Sequence, residues 1–203
     1  MKKENLSLSN VRLSFPKLIE PEAPKGTPNA DKKYSCDLIM PQGDQQFAMF
    51  MAEVGRIANE KWKEMAPSVL QVCQSDRKLR CYGGGSEKID KKTYKPYSGY
   101  EGAVYVSASA SEDKPPKMFD GDGNECPESN TMLRKELARK LYGGCYVNVV
   151  LRVWPQDNSF GRGIRCELLA VQFAADGDAF GEAPPDLTGM FKPIKRDDTP
   201  SWL

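Results

Sequence analysis

The chain contains no histidine. That absence removes His-dependent triads, His-bearing metal centres and most schemes that need a general base near neutral pH. A charge excess is also missing: 29 Lys and Arg stand against 28 Asp and Glu, a formal net charge of +1 over 203 residues. Any electropositive surface must therefore come from segregating charge. No apolar run approaches the roughly 20 residues that span a bilayer, and the opening MKKENLSLSN lacks the hydrophobic core of a signal peptide. The expectation is a soluble, intracellular protein. Its six cysteines, Cys36, Cys73, Cys81, Cys126, Cys145 and Cys166, include no CxxC pair and read as small buried hydrophobes. A zinc site would have to be all-Cys or Cys plus carboxylate. No cofactor and no catalytic residue are expected.

What is present reads mainly as strand. In LSLSNVRLSFPKL, Val11, Leu13 and Phe15 form an inward set, and KKYSCDLIM alternates with Tyr34, Cys36, Leu38 and Met40 on one side. Asp44 then caps an amphipathic helix with Phe47, Phe50, Met51, Val54, Ile57 and Ala58 at helical spacing, a helix suited to plugging a core. In AVYVSASAS, Val104, Val106 and Ala108 alternate with Tyr105, Ser107 and Ser109. The Pro- and Gly-rich connector SEDKPPKMFDGDGNECPESN imitates the start of a calcium loop at Asp120, Asp122 and Asn124. The imitation fails where the closing carboxylate would fall on Thr131. A short helix follows in TMLRKELARKLYGG, with Met132, Leu133, Leu137 and Leu141 inward and Arg134, Lys135, Arg139 and Lys140 outward.

Two stretches carry the functional signal. In YVNVVLRVWPQDNSFGRGIRC, Cys145, Val147, Val149, Leu151 and Val153 make an apolar face, leaving Tyr146, Asn148, Val150, Arg152 and Trp154 on the other. The run breaks at Pro155 into a turn bearing Phe160 and Arg162, and resumes through Arg165 as the second strand of a hairpin. Rings interleaved with Arg suit stacked bases and phosphates; a sheet buried on both faces would use the same rings as packing. The second stretch, from Arg77 to Lys95, has seven basic residues against Glu87 and Asp90, punctuated by Tyr82 and Tyr94 and continued by Tyr97, Tyr100 and Tyr105. Basic residues among aromatics are what single-strand binders use, although a solvated charged loop is the plain alternative. Gly83-Gly84-Gly85 lacks the Gly-Lys-Ser/Thr of a phosphate loop and reads as a mobile turn. From Ala174 onward six acidic residues face three basic ones in a Gly- and Pro-rich tail that ends near Trp202.

About five short strands, a plugging helix, a second helix and long connectors fit a mainly β, five-stranded Greek-key barrel of the OB type. The segments LSNVRLSFPKLIEPEA, KKYSCDLIMP and YGGCYVNVVLRVWPQDNSFGRGIRCELLAVQFAADGDAFG also resemble, in order, a tailed-phage single-stranded-DNA-binding family. The resemblance implies an OB fold over residues 1–178, a flexible, acidic-leaning tail over 179–203, and binding of single-stranded DNA without sequence preference in the host-cell cytoplasm. Weaker duplex binding and tail-mediated contact with phage replication or recombination proteins belong to the same expectation. The contact set is then Arg80, Tyr82, Lys91, Lys92, Tyr94, Lys95, Tyr97, Tyr105, Tyr146, Arg152, Trp154, Phe160, Arg162 and Arg165. A virion accessory protein and a metal-dependent nuclease using Asp120, Asp122 and Glu125 are the competing classes, and the oligomeric state, monomer or dimer, is open.

Overall fold

The computed structural model describes residues 4–23 and 30–181. Eight strands form one sheet: β1 (Leu6–Glu22), β2 (Lys33–Pro41), β3 (Tyr82–Gly84), β4 (Ala103–Ser111), β5 (Lys117–Phe119), β6 (Glu125–Cys126), β7 (Tyr146–Asn158) and β8 (Gly161–Ala175). The helices are α1 (Gln45–Trp62), α2 (Ala66–Ser75) and α3 (Thr131–Lys140).

Five strands close a barrel. β2 lies antiparallel between β1 and β4, β7 lies antiparallel between β1 and β8, and β8 meets β4 in parallel where Ser109 faces Glu167. The order β1-β2-β4-β8-β7 and back to β1, closed by the one parallel contact, is the Greek-key barrel expected from the sequence, and closure leaves its five strands without free edges.

Alternation fills the interior. Leu8, Val11 and Leu13 of β1, Cys36, Leu38 and Met40 of β2, Val106 and Ala108 of β4, Val147, Val149, Leu151 and Val153 of β7, and Ile164, Cys166 and Leu168 of β8 are all buried. Asp44 caps α1 by accepting from the Gln46 amide at 2.7 Å, and Phe50, Val54, Ile57 and Ala58 carry the helix onto the core. All six cysteines are buried and free. Burial pushes the Cys81 thiol up to about 12 and the Cys145 thiol to about 11, so neither supplies a thiolate at neutral pH. Among the described residues no group of three or more Cys, Asp or Glu could hold a metal. Asp120 instead organises its turn, accepting from the Asn124 amide at 2.8 Å and the Asp122 amide at 3.0 Å.

Several expectations are corrected. Tyr34 is only half-buried, and Phe15, placed inward by simple alternation, stands half-exposed. α2 is a helix that the reading of the sequence did not contain; Pro67 in its first turn and the buried Ala66, Val69 and Cys73 were its signal. α3 is rotated from its expected setting: Met132 is 84% exposed, while Arg134 is 7% exposed, with a buried Nη1 that has no partner among the described residues. Gly85 is packed rather than mobile, because a Cβ there would collide with the Tyr100 carbonyl. The tail begins later than Ala174. Residues 174 and 175 complete β8, and residues 176–181 strap back onto the barrel: the Phe180 amide donates to the Gly143 carbonyl at 2.8 Å, and the Tyr142 hydroxyl donates to the Gly177 carbonyl at 2.9 Å. The rest of the tail, Trp202 included, lies outside the described residues.

Candidate nucleic-acid interface

Register places small polar side chains on the outer face of β2 and β4. Asp37 faces Ser107, Ser35 faces Ser109 and Lys33 faces Ser111; on β1, Lys17 faces Ser35. The result is a shallow lane floored by hydroxyls, running from β4 to β1. Beside β4 it deepens into a groove of about 580 Å³ lined by Ser75, Asp76, Arg77, Lys78, Arg80, Lys88, Tyr105 and Ser107. Four cations and one carboxylate line this groove; Glu87 pairs with Arg80 at 2.7 Å and Arg77 at 3.6 Å and Asp37 with Lys88 at 2.7 Å, so the exposed Arg77 and Lys78 carry most of its positive character.

The connector between β3 and β4 crosses the same face, and one buried carboxylate fastens it. Asp37 accepts from Lys88 Nζ at 2.7 Å, from the Tyr100 hydroxyl at 2.6 Å and from Ser107 Oγ at 2.5 Å. Ile39, Tyr100 and Tyr105 form a small second core under this crossing, joined by Tyr97, Ala103 and Phe180. Beyond the anchor the connector projects as a finger. Asp90 and Lys95 pair through the backbone, Ile89 bridges Pro96, and the Asp90 carboxylate accepts from the Lys92 amide at 2.9 Å. Lys91, Lys92, Tyr94 and Lys95 stand exposed at its tip, Tyr94 to 82%. Among the described residues no carboxylate is ion-paired with any of the three lysines.

The hairpin of β7 and β8 docks next to the groove. Gly163 lies so close to Leu79, in the 3-10 turn Arg77–Leu79, that a Cβ would sit 2.6 Å from the Leu79 carbonyl oxygen. Asp157 ties the hairpin to α1, accepting from Trp62 Nε1 at 3.2 Å with Arg162 at 3.4 Å and Lys61 at 3.8 Å. The indole hydrogen bond, then the two cations, hold the Asp157 carboxyl below its ordinary range. Its contribution to stability is therefore present at neutral pH and fades as pH falls through its depressed pKa. Phe160 at the turn is 83% exposed, and Trp154, cross-strand from Arg165, is 42% exposed.

The fourteen expected contact residues thus divide. Lys91, Lys92, Tyr94, Lys95, Trp154, Phe160 and Arg162 are exposed; Tyr97, packed on Phe15 and Tyr100, and Arg165, donating to Gln156 Oε1 at 2.8 Å, are half-buried. Three belong to the framework. Tyr82 is 6% exposed and packs edge-on against Phe50, its hydroxyl pushed up to about 12 by burial. Tyr105 is 5% exposed, with Lys88 Nζ 4.4 Å above its ring, so it floors the groove and offers no free face to a base. Arg80 is held by Glu87 at 2.7 Å and by the Tyr82 carbonyl. Tyr146 is covered by Arg12, whose guanidinium also lies 4.5 Å from the Phe180 ring, and Arg152 is paired with Glu167 at 3.2 Å. Arg77, Lys78, Lys88 and Ser107 are groove residues outside the expected set. Their sequence signal was the local basic excess, which does not say which cations pair internally.

Tyr82→Ala should consequently cost about 3–5 kcal/mol of stability, as large aromatic deletions from cores do. Trp154→Ala should leave the melting temperature nearly unchanged and weaken single-strand binding by about 1–3 kcal/mol. Thermal melts paired with oligothymidylate titrations check both.

A closed Greek-key barrel with exposed cations gathered beside one of its strands has the form of an OB-type nucleic-acid-binding protein. Comparison makes the assignment particular: residues 4–198 match the family model described as the Enterobacter phage Enc34 ssDNA-binding protein, and the chain belongs to that family. It is a family of binding proteins, not enzymes. The chain is 32% identical over 178 residues to putative protein p50 of Acyrthosiphon pisum secondary endosymbiont phage 1, covering 86% of this chain and 85% of the relative. The single-stranded DNA-binding protein of bacteriophage Enc34 in complex with ssDNA superposes with a TM-score of 0.65 at 25% identity, over 87% of this chain and 89% of that one. The fold is shared with gp2.5, the single-stranded DNA-binding protein of bacteriophage T7, at a TM-score of 0.54 and 12% identity, over 98% of this chain and 100% of that one.

Proposed function

We propose that the protein coats single-stranded DNA in the phage-infected cell without reading its sequence, holding the strand in the outer lane of β1, β2 and β4. The carrying observation is the exposed basic surface beside β4, with Arg77 and Lys78 at the groove and Lys91, Lys92 and Lys95 on the finger, within a barrel of the ssDNA-binding family. Lysine and arginine track phosphates, and the finger and the hairpin supply Tyr94, Trp154 and Phe160 to unpaired bases, by stacking that tolerates any sequence. Coating of this kind protects exposed strand and removes its hairpins during replication or recombination. Among the described residues no helix is long and apolar enough to cross a membrane. The place of action in this reading is the host cytoplasm, where the phage strand is exposed. Anisotropy titrations of labelled oligothymidylate and of a duplex test the reading. Tight, steeply salt-dependent binding to the single strand and weaker binding to the duplex are expected; equal affinity would reduce the interaction to electrostatics alone.

The C-terminal segment fits a regulatory or partner-docking role. Asp186, Asp197 and Asp198 could oppose DNA at the basic groove, and Trp202 offers an indole to a stacking site or to a replication protein. Deleting residues 186–203 should raise DNA affinity several-fold, more at low salt, with Trp202→Ala reproducing part of the gain. Unchanged titrations for both variants would leave the segment to partner docking.

A further inference from the structure

We infer that Phe15 is a base-stacking platform at the β1 end of the lane, a subsite for an unpaired nucleobase; the inference rests on the single-strand-binding reading above. Between Ser14, which faces Asp37, and Lys17, which faces Ser35, β1 carries one residue more than β2. This is a bulge, the device by which a strand re-aims a side chain near a binding site. Phe15 occupies it with φ +45°. Glycine adopts that conformation at no steric cost and an aromatic residue almost never does. A further shift in β1, between Leu8 and Val11, is met by Asn10 at φ +55°, a residue type that tolerates the left-handed region.

Strain of this sort persists where the surroundings impose it, and it concentrates at ligand sites. Core packing does not account for the ring, because Phe15 is 48% exposed. Tyr97 braces the ring in a T-shaped contact, with centroids 5.0 Å apart and planes at 80°, and Tyr100 lies 6.1 Å away, tilted by 33°. Tyr97 follows the lysine-bearing finger, and Lys17, two residues on from Phe15, is in register with Ser35 at the lane while its ammonium holds Glu22 at 2.5 Å. A braced, half-open ring beside the base of the lysine-bearing finger and a shallow polar floor is what an unpaired base requires: a π-face, fixed in advance, near the phosphate track.

The conformation itself supplies the test. Phe15→Gly relieves the backbone while removing the ring, so the variant should melt no lower than the native protein. Its affinity for oligothymidylate should fall about tenfold, the size of one stacking contact, with the salt slope unchanged. Affinity for an abasic oligomer of the same length should stay at the native value, and Phe15→Trp should retain binding to both. Native affinity of Phe15→Gly for oligothymidylate, or an equal loss on the abasic strand, would overturn the subsite and assign the ring to bracing the connector. Failure of the native protein to bind oligothymidylate would instead overturn the function on which the subsite rests, and that is measured before any substitution is made.

Discussion

An alanine triple at Lys91, Lys92 and Lys95 is expected to lower single-strand affinity by up to about a hundredfold at 0.1 M salt while leaving the fold unchanged. The three side chains sit at the tip of the finger, exposed and without an ion-paired carboxylate among the described residues, so nothing in the framework depends on their charge. For single strands each phosphate contact contributes about 0.7 to the slope of log affinity against log salt, and three contacts contribute roughly 2. Removing them should flatten the slope by that amount, and at 0.1 M salt a slope change of roughly 2 is a hundredfold loss. The check is a set of titrations at several salt concentrations. A parallel loss with the native slope would mean that the lysines position the finger without touching phosphates. An unchanged affinity would remove the finger from the DNA path altogether.

The second large effect is structural. Asp37 is 6% exposed and accepts from Lys88, Tyr100 and Ser107 together. Asp37→Leu would strand an ammonium and two hydroxyls at the base of the connector, and one-sided removal of a buried charge costs about 3–5 kcal/mol. Because the Lys88 side chain keeps 23% exposure and can turn partly to water, the low end, about 3 kcal/mol, is expected. For a chain of this size that is a fall in melting temperature of roughly 6–12 °C. Lys88→Met on the same background should recover part of the loss, since an apolar pair of similar volume carries no stranded charge. A neutral Asp37→Leu melt would show that the second core alone holds the connector. The coupling is also functional: Lys88 lines the groove, so the residue that fastens the finger also shapes the site.

The barrel was legible in the sequence because its signal is local. The alternation of Val147, Val149, Leu151 and Val153, and the helical spacing from Phe47 to Ala58, each state which side faces inward, and those residues fall inward or against the core. The site was legible in composition more than in detail. A segment rich in Lys and Tyr announced a basic, aromatic surface, but Tyr82 and Tyr105 went to packing and Arg80 and Lys88 to internal carboxylates. Such pairings join residues as far apart as Asp37 and Lys88, and no local pattern encodes them. Phe15 shows the same limit from the other side. Strict alternation sends it into the core, and a one-residue bulge, invisible without the partner strand, turns it out.

The location of the DNA path is the central claim, and photocrosslinking of the native protein to a bromodeoxyuridine-substituted single strand tests it most directly. Adducts should map to the rings around the lane, Tyr94, Trp154, Phe15 and Tyr97, and to peptides bearing Lys78 and Lys88. The far side of the barrel offers a groove of about 410 Å³ lined by Ser7, Asn148, Val150, Ala170 and Gln172, with no charged residue in its lining. Adducts concentrated there, with the finger and hairpin unmodified, would contradict the account.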